Sequence, residues 1–343
     1  MSYPSYYMIN AEFAREIWRK LFFISLRLRT TSFGILDQDF DCSFAQFPIV
    51  QFFFTYPNAT PAIKDLTSYI GLPSGAISQA IDLLEKGSAV KRIPSETDHR
   101  VTMVCAEKEL LSTREKAISY FRMMTDAFVA AGYVTPEEIA VADDIFVRLA
   151  ESRTGGELSV MKNPADLSVP GLVKHRFIAP EELRKLPPCV LVMHFVSVLK
   201  APVLVYYYKT SGRMTLGKLR LLDHMFILSE LDERPKVKDL ADRFHVSSGV
   251  ASQTLNALSQ DGMVERISSP SDRGIIRIRL TQEGLRIRRL TAASYTKFMQ
   301  NFFSTVEPEK AEMFSHTLDR FLEFLDKEGK EFLLPEPVSV SFN

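Results

Sequence analysis

Apolar residues in this chain fall into long blocks with helical spacing, separated by short β-branched runs, and the blocks come in the same order twice. In the first series the pattern predicts a long amphipathic helix over about 9–32, built on AEFAREIWRKLFFISLRLRT, and a second over about 44–55. A short helix follows in IKDLTSYIG, then a tight turn at Pro73-Ser74-Gly75 whose hydroxyl can cap the next helix, AISQAIDLLEKG. Two β-branched runs, VKRI and VTMVC, joined by a polar loop, predict a hairpin. Long helices over about 111–131 and 136–151 close the series. The second series runs 187–208, 216–231, VKDLADRFH, the turn Ser247-Ser248-Gly249, VASQTLNALSQDG ending at a glycine turn, the hairpin VERI and IIRIRL, and helices over about 283–304 and 308–327.

The two series are an internal repeat. At an offset of 174 residues, 63–105 aligns with 237–279 without a gap and with 13 identities in 43 positions, among them Lys64/Lys238, Asp65/Asp239, Ser78/Ser252, Gln79/Gln253, Arg92/Arg266 and Asp98/Asp272. Further on, TPEE at 135–138 matches EPEK at 307–310, each with Pro just inside a helix start. The expected organisation is one unit over 1–150, a linker over 151–185 rich in Gly and Pro, and a second unit over 186–335. The apolar run 187–208 has the length of a membrane span, but it holds His194, Lys200 and Pro202 and corresponds to the amphipathic first helix, so an interior helix is expected.

Composition narrows the function. The chain has 343 residues, 46% of them hydrophobic, with 42 Lys and Arg against 42 Asp and Glu, a globular balance without the basic excess of many nucleic-acid binders. Cys42, Cys105 and Cys189 are too few and scattered for a disulfide framework, and the first residues carry no signal-peptide pattern, so a cytoplasmic protein is expected. His99, His175, His194, His224, His245 and His316 form no metal-ligand spacing, and neither a GxSxG elbow nor a phosphate loop occurs, so no enzyme activity, metal or cofactor is expected.

Helix, tight turn, helix and hairpin form the winged helix-turn-helix arrangement, whose second helix enters the DNA major groove while the hairpin loop reaches the neighbouring backbone. The fold class is therefore mainly α with small β-wings: two tandem winged helix-turn-helix domains with long flanking helices. In this arrangement Ser74, Ser78 and Gln79, and in the second copy Ser248, Ser252, Gln253 and Asn256, face bases or phosphates of double-stranded DNA. Arg100 and Arg273 supply charge from the wings, with His99 a weaker candidate, and Asp98 and Asp272 either orient those arginines or meet the DNA.

The phrase LADRFHVSSGVASQTLNALSQDGMVERISSPSDRGIIRIRLTQEG, the order of helices around the hairpin, and TPEE/EPEK before the last helix resemble the MarR family of bacterial transcription regulators. In the second copy Asp272-Arg273, Leu280-Thr281 and Gly284 match the family's wing pattern; the first copy keeps Asp98 but has Ala106-Glu107 and Leu110 at the later positions. Family members are usually dimers of one such unit, so the resemblance implies a single-chain pseudodimer, with further pairing of chains open, acting as a DNA-binding regulator or repressor. It also implies a pocket for a small aromatic effector, for which Phe52-Phe53-Phe54, Tyr206-Tyr207-Tyr208 and Phe302-Phe303 are candidates, although helical packing explains them equally well. A redox-sensing branch of the family uses a cysteine in the first helix, where Cys189 lies; a small core residue is the plainer reading. Family recognition helices commonly carry Arg where this chain has Gln79 and Gln253, which favours a second class, a protein-interaction module that retains the fold and has lost DNA affinity.

Overall fold

A computed structural model describes residues 10–39, 46–70, 72, 74–155, 180–197, 199, 215–230, 234–244, 248–268 and 276–328. They fall into two compact units. The first holds the described residues of Met1–Val160, Ser168–Ala201 and Tyr295–Asn343, and the second those of Pro202–Ser294.

The first unit is a helical body carrying one helix-turn-helix-hairpin motif. Helix α1 (Ala11–Asp39) turns Ala14, Ile17, Trp18, Leu21, Ile24 and Leu28 inward at three- and four-residue spacing. All nine residues of α2 (Phe47–Thr55) are buried, and all but Gln51 and Thr55 are apolar, because this helix has no solvent face. The motif follows as α3 (Ile63–Ile70), α4 (Ser74–Lys86), β1 (Val90–Pro94) and β2 (Thr102–Ala106), and then come α5 (Lys108–Ala130) and α6 (Pro136–Gly155). A short α7 (Pro180–Leu183) precedes α8, helical over 188–197, where Cys189 to Val196 are all buried. The rest of the run 187–208 lies mostly outside the described residues, and among those described no helix is long and apolar enough to cross a membrane.

The chain's last helix, α13 (Pro308–Lys327), packs on α1 and α6 and buries Ala311, Phe314, Leu318 and Phe324. Polar groups tie the same seams. The buried Lys20 ammonium donates to Asp319 Oδ2 at 2.7 Å and Ser315 Oγ at 2.8 Å, and Arg27 pairs with Asp326 at 2.6 Å. Arg320 donates to Glu138 at 2.5 Å, holding that carboxyl below its ordinary range, while Glu138 also accepts from the backbone N–H of Thr135 at the start of α6. On α8, His194 stands between two phenols, Tyr69 Oη at 2.6 Å from Nδ1 and Tyr56 Oη at 3.3 Å from Nε2, which together can fill both roles of a neutral imidazole.

The second unit contains α9 (Leu216–Glu230), α10 (Val237–Phe244), α11 (Ser248–Gln260), β3 (Val264–Ser268), β4 (Ile276–Leu280) and the start of α12 (Gln282–Phe303). Its motif repeats the backbone bonds of the first at the 174-residue offset. Asp65 Oδ2 accepts from Ala62 N–H at 3.0 Å, and Asp239 Oδ2 from Lys236 N–H at 2.8 Å, each closing the first turn of the motif's first helix. Val104 N–H donates to Pro61 O at 2.9 Å, and Ile278 N–H to Pro235 O at 3.0 Å, adding a short third chain to each antiparallel hairpin. Register matches as well, with Val90 opposite Ala106 and Val264 opposite Leu280. Where α11 ends, Gly262 takes φ +70°, and its counterpart Ser88 takes φ +56°, so the same left-handed turn is made with and without glycine.

Two local features anchor the second hairpin. Thr281 Oγ1 donates to Gly262 O at 2.6 Å and accepts from Gly284 N–H at 3.1 Å, drawing the start of α12 so close that a Cβ at Gly284 would lie 2.1 Å from Met263 O. The first copy places Leu110 here, fully buried in the core, so the two motifs seat their following helices differently. Beneath the hairpin, Asp223 of α9 pairs with Arg288 of α12 at 2.7 Å with both side chains almost wholly buried, and the guanidinium lies 5.0 Å from the centre of the Phe226 ring.

Three outcomes follow from this packing. Gly284→Ala forces backbone movement and lowers the melting stability of the second unit by about 1–3 kcal/mol. Asp223→Ala leaves a buried guanidinium without its carboxylate and costs about 3–5 kcal/mol in denaturant titration, whereas Asp223→Leu with Arg288→Met recovers most of that loss. Because Glu138 is held below the ordinary carboxylate range, its pair stabilises the fold above that range and the benefit fades as pH falls through it. Glu138→Gln therefore costs about 1 kcal/mol at neutral pH, and the two proteins converge in stability toward pH 3.

Candidate nucleic-acid interface

Helical periodicity decides which side of each second motif helix meets solvent. In α4, Ile77, Ala80, Ile81 and Leu84 are buried, which leaves Ser74 and Gln79 exposed and Ser78 half-buried on the opposite side. In α11, Ala251, Leu255 and Leu258 are buried, leaving Ser248, Gln253 and Asn256 exposed and Ser252 half-buried. The seven candidate helix positions thus occupy outward faces within their own motifs. Ser74 and Ser248 are the first helical residues, with the positions just before them outside the described residues.

At the tip of the first hairpin, Ser95 N–H donates to Val101 O at 3.0 Å, and Asp98 Oδ1 accepts from the backbone N–H of Arg100 at 3.0 Å. Asp98 therefore shapes the turn that presents His99 and Arg100, both exposed. Arg273 and Asp272 lie outside the described residues.

Sequence reading did not assign a site role to Arg92 and Arg266, although their identity across the repeat was the available signal. Arg92 reaches from β1 to α4, bonding Asp82 at 2.7 Å, Glu85 at 2.5 Å and the Ser78 carbonyl at 3.1 Å. Arg266 makes the corresponding reach from β3 to α11, but donates to the neutral Asn256 Oδ1 at 2.8 Å. The residue matching Glu85 is Ser259. One guanidinium is thus neutralised by carboxylates on its helix, and the other sits beside a helix with no charged side chain. The second strands differ in the same direction, Arg277 and Arg279 standing where the first hairpin has Met103 and Cys105. Arg279 pairs with Glu265 at 2.7 Å and Arg277 donates to the Arg234 carbonyl at 2.9 Å.

This local difference extends through the units. Residues 202–294 contain 15 Lys and Arg against 10 Asp and Glu, a formal charge of +5, while the matching span 28–120 contains 9 against 11, a charge of −2. The balanced charge of the whole chain conceals two unlike halves.

The aromatic candidates for an effector pocket are core residues where described: Phe52, Phe53, Phe54, Phe302 and Phe303 are all buried, and Tyr206-Tyr207-Tyr208 lie outside the described residues. A cleft of about 530 Å³ opens elsewhere in the first unit, where Arg114 and Lys185 are paired with Glu115 and Glu182 on the same walls. Burial pushes the Cys189 thiol up to about 12, which makes it a protonated core group rather than a reactive thiolate. Among the described residues, no three His, Cys, Asp or Glu side chains gather as metal ligands.

Comparison with known proteins places these motifs in context. Residues 221–273 match the sequence profile of the MarR family. The uncharacterized HTH-type transcriptional regulator YsmB of Bacillus subtilis (strain 168) is 23% identical over 114 residues, 32% of this chain and 77% of its own length. Among solved structures, FabT of Streptococcus pneumoniae in complex with DNA is 19% identical, covering 36% of this chain and 83% of its own, with a TM-score of 0.30. A MarR-like transcriptional regulator (tm0816) of Thermotoga maritima is 20% identical, covering 35% and 82%, also with a TM-score of 0.30. The matched residues 221–273 run from α9 through α10 and α11 to β3, so the likeness to the MarR family falls on the second motif.

Proposed function

We propose that the protein is a sequence-specific double-stranded-DNA-binding transcription regulator, built as a single-chain pseudodimer of MarR-like units over 1–150 and 186–335 joined by 151–185. The observation that carries this reading is the outward polar face of α11, with Ser248, Gln253 and Asn256 exposed beside Arg266, in a unit of net charge +5. Hydroxyl and amide side chains read base edges, and the surrounding cations supply the phosphate affinity that the helix lacks. Arg273 in the second wing and Arg100 in the first extend the contact along the backbone. The protein acts in the cytoplasm and represses by occupying its site.

The interaction-module reading draws on the first motif, whose α4 carries Asp82 and Glu85 on a span of net charge −2. Titration of labelled duplex DNA across salt concentrations separates the two. Contact with about four phosphates gives a slope near −3.6 in log K against log salt, a loss of roughly 10²-fold between about 50 and 200 mM salt. Arg100→Ala with Arg273→Ala flattens that slope. Absence of binding even at low salt sinks the regulator in favour of the interaction module.

A further inference from the structure

We infer that one recognition helix only reads the duplex: α11, flanked by strands β3 and β4, meets bases and phosphates, and the equivalent face of α4 does not. The inference rests on the DNA-binding reading above and assigns its polarity.

A surface competes for phosphate only through cations that are not already neutralised and a helix that does not repel the backbone. The two motifs answer this test oppositely at matching positions. On α4 the outward side chains include Asp82 and Glu85, and the guanidinium nearest them, Arg92, is engaged by both carboxylates and by the Ser78 carbonyl. Freeing Arg92 for a phosphate would expose two carboxylates to the same phosphate, so the exchange gains nothing. Lys91, next along β1, is likewise engaged by Glu107 at 2.6 Å. Leu83, 52% exposed between Asp82 and Lys86, adds apolar bulk to that face, where α11 has the small Ala257.

On α11 there is no carboxylate at all. Arg266 holds Asn256 by a neutral acceptor, which orients the amide without cancelling the guanidinium charge, so amide and cation reach the groove together. Arg277, on the adjacent strand, donates to a neutral acceptor, the Arg234 carbonyl, and so keeps its charge where the first copy has Met103, while Arg279 beside it is balanced by Glu265. The match to the MarR family profile falls on this second motif as well. A chain built this way reads a single half-site, unlike a dimer in which two equal helices read a palindrome one helical turn apart.

Gln79 and Gln253 allow the same substitution at matching exposed positions, where neither disturbs the core. Duplex affinity is measured by fluorescence anisotropy for the intact wild-type chain, Gln79→Glu and Gln253→Glu, with circular dichroism confirming equal folding. Gln253→Glu places a carboxylate against phosphate and weakens binding on the order of tenfold or more, whereas Gln79→Glu stays within about twofold of wild type. Comparable losses from both substitutions, with wild-type binding intact, overturn the one-sided assignment and leave the DNA-binding reading standing. A larger loss from Gln79→Glu overturns it in favour of the first motif. Failure of the wild type to bind any duplex at low salt removes both readings.

Discussion

The first unit depends on the burial of α13 against α1 and α6. Phe314, Leu318 and Phe324 contribute about 2 kcal/mol each by leaving water, on a helix that meets partners as far as 182 and 299 residues earlier in the chain. α5 packs on α1 as well, but α13 is the helix that α1 and α6 share. The ion pairs along the seam, Lys20 with Asp319 and Arg320 with Glu138, add little energy but fix which helix lies where. Since both ends of the chain contribute to one core, the body closes only after the last helix is made, a high-contact-order arrangement that folds late.

On this body the first helix-turn-helix-hairpin motif is assembled by a few local bonds, and the same bonds recur in the second unit. A carboxylate closes the first helical turn, a proline carbonyl pairs with the outer strand, and a left-handed residue ends the second helix. These contacts determine shape and are blind to charge. The scaffold is therefore retained in both copies while the surface diverges, from Asp82 and Glu85 in one to Asn256 and Ser259 in the other. Shape is common to the two motifs; the charge on their outward faces is not.

Much of this was legible from residue order. The helix series, both hairpins, the glycine turn after α11 and the outward placement of Ser74, Gln79, Ser248, Gln253 and Asn256 follow from periodicities of 3.6 and 2, because a short stretch of chain determines them. The engagement of Arg92 by Asp82 and Glu85 was not legible, nor was the bond from Arg266 to Asn256, since each joins a strand to a helix across a turn whose geometry the pattern does not carry. The aromatic runs left two readings open because an apolar period reports burial but not whether the buried ring meets a cavity or another helix, and Phe52, Phe53 and Phe303 pack in the core.

By itself, the sequence determined the order of elements, the repetition of one motif and the polar faces of its second helices, because these depend on neighbours within a turn or two. Tertiary structure decided that α13 completes the core around α1 and α6 and that His194 is seated between Tyr56 and Tyr69. Those outcomes turn on distances between residues tens to hundreds of positions apart, and only the folded chain brings them within reach of a hydrogen bond.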